Sequence, residues 1–163
     1  MAIIRDVFTF PHPVDDHIPR TVAAMVSILA VATLVLDMGW LILVLVAGFA
    51  ARVFTGPTLC PFAQLAIRVI VPAMKRPKKY VAGPPKRFAQ SIGLVLSVTA
   101  AIFHLGFGLV TPAYILVGIV LIFALLESAL GFCAGCFIFA RLMDIGVVPK
   151  DTCEKCADLS VTR

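Results

Sequence analysis

The sequence predicts an all-α integral membrane protein: four transmembrane helices in two hairpins, both termini on the inner side, and a cytoplasmic surface helix between the second and third spans. Three observations lead there. Of the 163 residues, 61% are hydrophobic and 14% charged, with a mean hydropathy of +1.04, whereas soluble domains run at about 45–50% apolar and about 25% charged. Three apolar stretches together supply four crossings at roughly 20 residues each. All 14 Lys and Arg fall on one side of the resulting map, the side that positive residues keep to. This much Val, Ile, Leu and Phe excludes disorder. The net charge of +5, which would suggest nucleic acid in a soluble chain, here sets orientation, and no nucleic-acid partner is expected.

Residues 1–20 form an N-terminal arm. Its His12, His17, Asp15 and Asp16 read as a Pro-broken segment more readily than as a metal site. The apolar run from Thr21 to Phe54 is too long for one span and is interrupted at Asp37-Met38-Gly39, a charge followed by the residue best suited to a turn. It therefore divides into spans over about 21–36 and 40–54, with Trp40 at the interface. No cleavable signal peptide is read, because the apolar region starts only at Thr21 and lacks a small-residue cleavage site. Residues 55–87 form a basic loop. From Pro61 the residues Phe62, Leu65, Ala66, Val69 and Ile70 recur at helical spacing with Gln64 and Arg68 on another face, which predicts a helix lying in the membrane surface and ending at Pro72. The stretch MKRPKKYVAGPPKR follows; beside an anionic inner leaflet each nearby cation contributes about 1 kcal/mol. Docking of an acidic protein is the other reading of that charge. The third span covers about 88–109 and is closed by Gly106, Gly108 and Pro112; the fourth covers about 114–140, and 141–163 is a polar tail. The two outer turns contain no Lys or Arg, so both termini and the basic loop face the cytoplasm.

On this map the five cysteines, Cys60, Cys133, Cys136, Cys153 and Cys156, lie at the reducing face, where permanent disulfides are rare. Cys133 and Cys136, in GFCAGC, share one face of the fourth helix if it stays regular. Gly131 and Gly135 flank them at a spacing that lets another backbone approach closely, which leaves room for oligomerisation. The C-terminus of a helix opposes a thiolate; a break at Gly131 or Gly135, or the cation Arg141, would reverse this. Cys60, before Pro61 at the start of the surface helix, is better placed for a thiolate, with ordinary packing as the plainer reading. The tail pair Cys153 and Cys156 completes a C-x-x-C, sixteen residues, C-x-x-C array, a spacing that suits zinc or an iron–sulfur centre. Thiol exchange needs no cofactor; the metal reading uses Cys133, Cys136, Cys153 and Cys156 as four ligands.

Glu127 falls near the middle of the fourth span, where a carboxylate is either neutral interhelical glue or part of a proton or substrate path. Ser27 and Ser97, at similar depth, are its candidate partners. Six residues separate Glu127 from Cys133, which puts them on different faces of a regular helix. His104, near the outer end of the third span, reads as interfacial.

The segments VDDHIPR (from Val14), RFAQSIG (from Arg87) and GFCAGC (from Gly131) together resemble the bacterial membrane proteins called domain of unknown function 4395, over roughly Val14 to Arg141. The resemblance implies a four-helix protein of the bacterial inner membrane and an association with thioredoxin-like or rhodanese-type sulfur-transfer proteins. It marks Arg87, Phe88, Gln90, Cys133 and Cys136 as motif positions; Cys60, Cys153 and Cys156 lie outside the usual pattern. The expected function is thiol redox or sulfur handling, with electrons or sulfane sulfur passing through Cys133 and Cys136, and through Cys153 and Cys156 to a cytosolic partner. The alternative is a metal-stabilised membrane scaffold or small transport component without catalysis.

Overall fold

The computed structural model describes residues 14–146 except 75–79 and 82. Cys153, Cys156, His12 and, in the basic stretch, Lys75, Arg76, Lys78 and Lys79 lie outside the described residues. Among the described residues the regular structure is helical apart from one two-residue antiparallel ladder, β1 (Val14–Asp15) with β2 (Tyr80–Val81), which ties the N-terminal segment to the middle loop.

Helix α1 (His17–Val35) starts where the Asp15 carboxylate accepts the His17 N–H at 3.1 Å. Pro19 sits in its first turn, where a missing N–H leaves no bond unmade. The chain then turns through Asp37, the one non-glycine residue at positive φ (53°) among those described. The Tyr114 hydroxyl donates to the Asp37 carboxylate at 2.5 Å, and the His104 ring lies over Gly39 where a Cβ would otherwise be. Helix α2 (Leu41–Thr55) is 15 residues long, shorter than the roughly 20 that a full crossing takes. Helix α3 (Pro61–Ala73) passes through a π-helical stretch, Ala66–Ile70. Its Ala63 and Ala66 are buried in the core and it packs on α1, so it is docked on the bundle as well as carrying an outward apolar face.

Helix α4 (Gly83–Ala101) runs on as a π-helical turn, Ile102–Gly106, and α5 (Val110–Leu125) as another, Leu126–Leu130. Pro112 falls in the first turn of α5 and starts that helix earlier than expected instead of preceding it. The larger difference is at the other end. A helix continuous to Ala140 was expected; the structure stops at Gly131 and begins a separate helix, α6 (Ala134–Asp144). Gly131 has φ 69°, the left-handed conformation that closes a helix and favours glycine.

Three of these helical segments are long and apolar enough to cross a membrane: His17–Val35, Lys86–Gly106 and Val110–Leu130. Around the bundle α1 contacts α2 and α5, and α4 contacts α2, α5 and α6. The core is built of small and branched residues, among them Val26, Ala30, Ile42, Leu45, Ala100, Ala113 and Val117. Its hydroxyls are satisfied locally: Ser27 donates to the Ala23 carbonyl (2.9 Å), Thr33 to Leu29 (2.8 Å) and Ser97 to Gly93 (2.8 Å), the bonding that lets Ser and Thr sit in an apolar interior. Larger side chains such as Ile28, Val35, Val95, Ile115, Ile122 and Leu130 point outward and are exposed, the distribution suited to contact with lipid.

Small residues also set how closely the helices approach. Gly135 of α6 faces Ala89 of α4, and a Cβ added there would collide with the Ala89 Cβ and lie 2.5 Å from its Cα. Gly118, in α5, has nothing within 4 Å of such an atom. Gly135→Val is expected to separate α6 from α4 and to destabilise the protein by about 1–3 kcal/mol, read as a shift of the unfolding midpoint in detergent micelles. Gly118→Ala is expected to leave that midpoint unchanged or raise it slightly.

Candidate functional site

The break in the last apolar stretch decides the chemistry of the paired thiols. The end of α5 is closed twice over. Gly131 N–H bonds the Glu127 carbonyl at 3.1 Å and Phe132 N–H the Leu126 carbonyl at 3.2 Å, while the Arg20 guanidinium of α1 donates to the carbonyls of Ala129 (3.1 Å) and Ser128 (3.4 Å). A cation at this position also complements the negative end of the helix dipole. Released from α5, the chain starts again with Cys133 in the capping position of α6. Its sulfur accepts the Cys136 N–H at 3.3 Å and its carbonyl accepts the Phe137 N–H at 3.1 Å.

That places Cys133 at the positive end of a helix, the reverse of its expected place near a helix C-terminus. Hydrogen bonding from the Cys136 thiol, with help from the Cys136 N–H and the Lys86 ammonium, lowers the pKa of Cys133 below the usual thiol value, against burial and the Glu127 charge. The same pairing, together with burial, pushes Cys136 up. The two thiols, both half-buried, are thereby differentiated into a thiolate-forming member and a proton-holding member.

Next to them is a buried ionic cluster. Lys86, at the base of α4, reaches Asp16 at 3.2 Å and Glu127 at 3.0 Å, with the three side chains only 8, 10 and 13% exposed. Glu127 is therefore one turn from the end of its helix and not at mid-span, because the helix stops at Gly131. Its partner is Lys86; Ser27 and Ser97 bond their own helices instead. In apolar surroundings a carboxylate keeps its charge only beside a cation, and one ammonium here serves two.

The thiol and the ionic cluster open on a cavity of about 60 Å³ between α1, α2, α4, α5 and α6, lined by Cys133, Glu127, Gln90 and Arg52 among apolar residues that include Phe49 and Phe123. Gln90 Oε1 is buried there without a hydrogen-bond partner. Arg52 is 6% exposed, stacks on the Phe49 ring at 4.5 Å and donates its Nε–H to the Gly48 carbonyl at 2.8 Å. Sequence reading placed Gln90 among the motif positions but counted Arg52 only as a topology charge. An Arg inside an apolar stretch was the signal that could have marked it; Lys86, within a basic stretch, carries no such signal. The other motif positions are structural: Arg87 donates to the Val53 carbonyl at 3.1 Å and the Phe88 ring packs on Phe139 at 5.5 Å. Cys60 is fully buried, its thiol donating to the Gly48 carbonyl at 3.8 Å, which is the packing role. His104, beside Tyr114, belongs to the opposite end of the bundle. Among the described residues no three His, Cys, Asp or Glu side chains are grouped to hold a metal; the four-thiol array requires Cys153 and Cys156, outside the described residues.

The site thus draws Asp16 and Arg20 from VDDHIPR, Lys86 and Gln90 from the segment around RFAQ, and Cys133 and Cys136 from GFCAGC. A family model described as a domain of unknown function, DUF4395, matches residues 14–144. The chain belongs to the DUF4395 family. No curated protein and no solved structure matches it. The DUF4395 match begins at the first strand and ends at the last residue of α6, so every element that builds the site lies within the family domain.

Removing the ammonium leaves two buried carboxylates facing each other. Lys86→Met is expected to cost about 3–5 kcal/mol, measured by denaturant unfolding in micelles. Adding Asp16→Asn and Glu127→Gln to that variant is expected to recover much of the loss, since no uncompensated charge then remains.

Proposed function

We propose that this DUF4395 protein is a four-span protein of the bacterial inner membrane, with both termini and the site at the cytoplasmic face, that exchanges thiol electrons or sulfane sulfur through Cys133 and Cys136. The observation that carries the reading is the cap on α6: a sulfur atom that accepts the Cys136 N–H at a helix N-terminus is shifted toward the thiolate, the form that attacks. The one-sided distribution of Lys and Arg supports the orientation. The second crossing is assigned to α2, whose 15 residues are extended by the turns at either end.

In the exchange the Cys133 thiolate attacks a disulfide or sulfane sulfur of a thioredoxin-like or rhodanese-type partner. A bond forms from Sγ to that sulfur, the partner's sulfur–sulfur bond breaks, and the leaving thiolate takes the electron pair. Cys136 then gives up its proton to the departing sulfur and attacks the Cys133 Sγ, closing a disulfide: a mixed disulfide releases the partner as its thiol, and a persulfide, whose donor left in the first step, releases hydrogen sulfide. Cys153 and Cys156 stand in the same polar tail that follows α6 and are assigned the relay to a second partner. The exchange as written requires no metal or cofactor.

With Cys136→Ser the attacking thiol remains and the resolving one is gone, so a mixed disulfide or persulfide on Cys133 is expected to accumulate, seen by non-reducing electrophoresis and mass spectrometry of the peptide. Cys133→Ser is expected to give no adduct. Because a lowered pKa puts the thiolate form at lower pH, alkylation of Cys133 is expected to rise to its plateau at a lower pH than that of a free thiol. A pair that forms no adduct in either variant, or that holds about one zinc per chain, would return the protein to the scaffold reading.

A further inference from the structure

The cavity contains more chemistry than disulfide exchange with a protein requires. A guanidinium that is 6% exposed is bonded to protein only through Nε, to Gly48. Its two terminal nitrogens have no acceptor among the described residues, and the side chain lines the same cavity as Cys133. Stacking on Phe49 fixes the plane of the guanidinium. Gln90 also lines the cavity, and its Oε1 is buried with no donor to accept from. Guanidinium donors without a hydrogen-bond acceptor and a buried acceptor without a donor leave places for a ligand that supplies those partners, and the Glu127 carboxylate that also lines the chamber is neutralised by Lys86. A planar guanidinium with free terminal N–H groups matches an oxyanion, which it binds through paired, charge-assisted bonds. Cys133 lines the same chamber.

We propose that the cavity binds a small sulfur oxyanion carrying a sulfane sulfur, of which thiosulfate is the simplest, with its oxygens on Arg52 and its terminal sulfur toward Cys133. This rests on the exchange reading and names its substrate class. The Cys133 thiolate attacks the terminal sulfur, a new Sγ–S bond forms, the sulfur–sulfur bond of thiosulfate breaks, and sulfite leaves with the electron pair. Charge is conserved: a thiolate and a dianion become a persulfide anion and a dianion. Arg52 holds the oxygens on which the leaving group's charge concentrates. Gln90, whose amide can donate and accept, orients the anion.

The test uses the whole chain in micelles or vesicles. In Cys136→Ser, thiosulfate is expected to place one extra sulfur on Cys133, detected by mass, while in the otherwise native chain sulfate, which cannot react, slows alkylation of Cys133 by iodoacetamide and the uncharged dimethyl sulfone does not. Adding Arg52→Gln to Cys136→Ser is expected to slow persulfide formation from thiosulfate by about 10- to 100-fold and to leave reaction with the uncharged 2-hydroxyethyl disulfide within about threefold. Should Cys133 react with the uncharged disulfide while sulfate gives no protection and thiosulfate no persulfide, the oxyanion site is overturned and the exchange reading stands. Should Cys133 react with neither reagent, both fall. The sulfate protection requires no substitution, so loss of fold in an Arg52 variant cannot stand in for a result.

Discussion

The arrangement of the site end depends on one buried ammonium. Lys86 touches Asp16 just before α1 and Glu127 near the end of α5, so a single side chain fixes the relative positions of three helices. Ion pairs in a low-dielectric interior are weak evidence for stability, since desolvation offsets much of the attraction, but they are specific about geometry. With Glu127 held, the last turn of α5 is held, and Arg20 on the next turn of α1 is in place to cap it. The break at Gly131 is thus defined from both sides. Helix α6, with Cys133 as its cap, inherits its starting point from that cluster.

The thiol pair shows why local sequence distance is a poor guide to chemistry here. Two cysteines three residues apart in a continuous helix would be nearly equivalent and both disfavoured as thiolates. The left-handed glycine two residues upstream changes the sign of the dipole they meet and separates them into an acceptor and a donor. The same glycine turns the chain so that α6 lies against α4 through Gly135 and Ala89, which brings Cys133 to the cavity shared with Gln90.

Much of the architecture was legible. Long apolar runs are a direct record of the solvent a helix meets, and VDDHIPR, RFAQ and GFCAGC carried the family. The turn at Asp37 to Gly39 could be read because a charge and a glycine interrupt an apolar run. The break at Gly131 could not, because GFCAGCFIFA is apolar throughout and hydropathy does not record φ. Glu127 was assigned a serine partner on the basis of depth, and its partner in the structure lies 41 residues away in a basic stretch read as facing lipid headgroups or an acidic protein. Arg52 was missed for the same reason. Counting positive charges treats each as solvated, and the two that matter most to the site, Lys86 and Arg52, are both withdrawn from solvent. Gln90 was found by resemblance alone; its unpartnered oxygen is a property of the packed state.

The interior of this bundle is leaner than its outside. Alanines, serines and threonines turn toward one another, while Ile28, Val35, Val95, Ile115 and Leu130 face away. Such a molecule is greasiest where a soluble protein is most polar. Stripped of its surrounding amphiphile it therefore fails by adhering to its own copies before it opens, and the care of a biochemist handling it belongs to the choice of detergent more than to temperature.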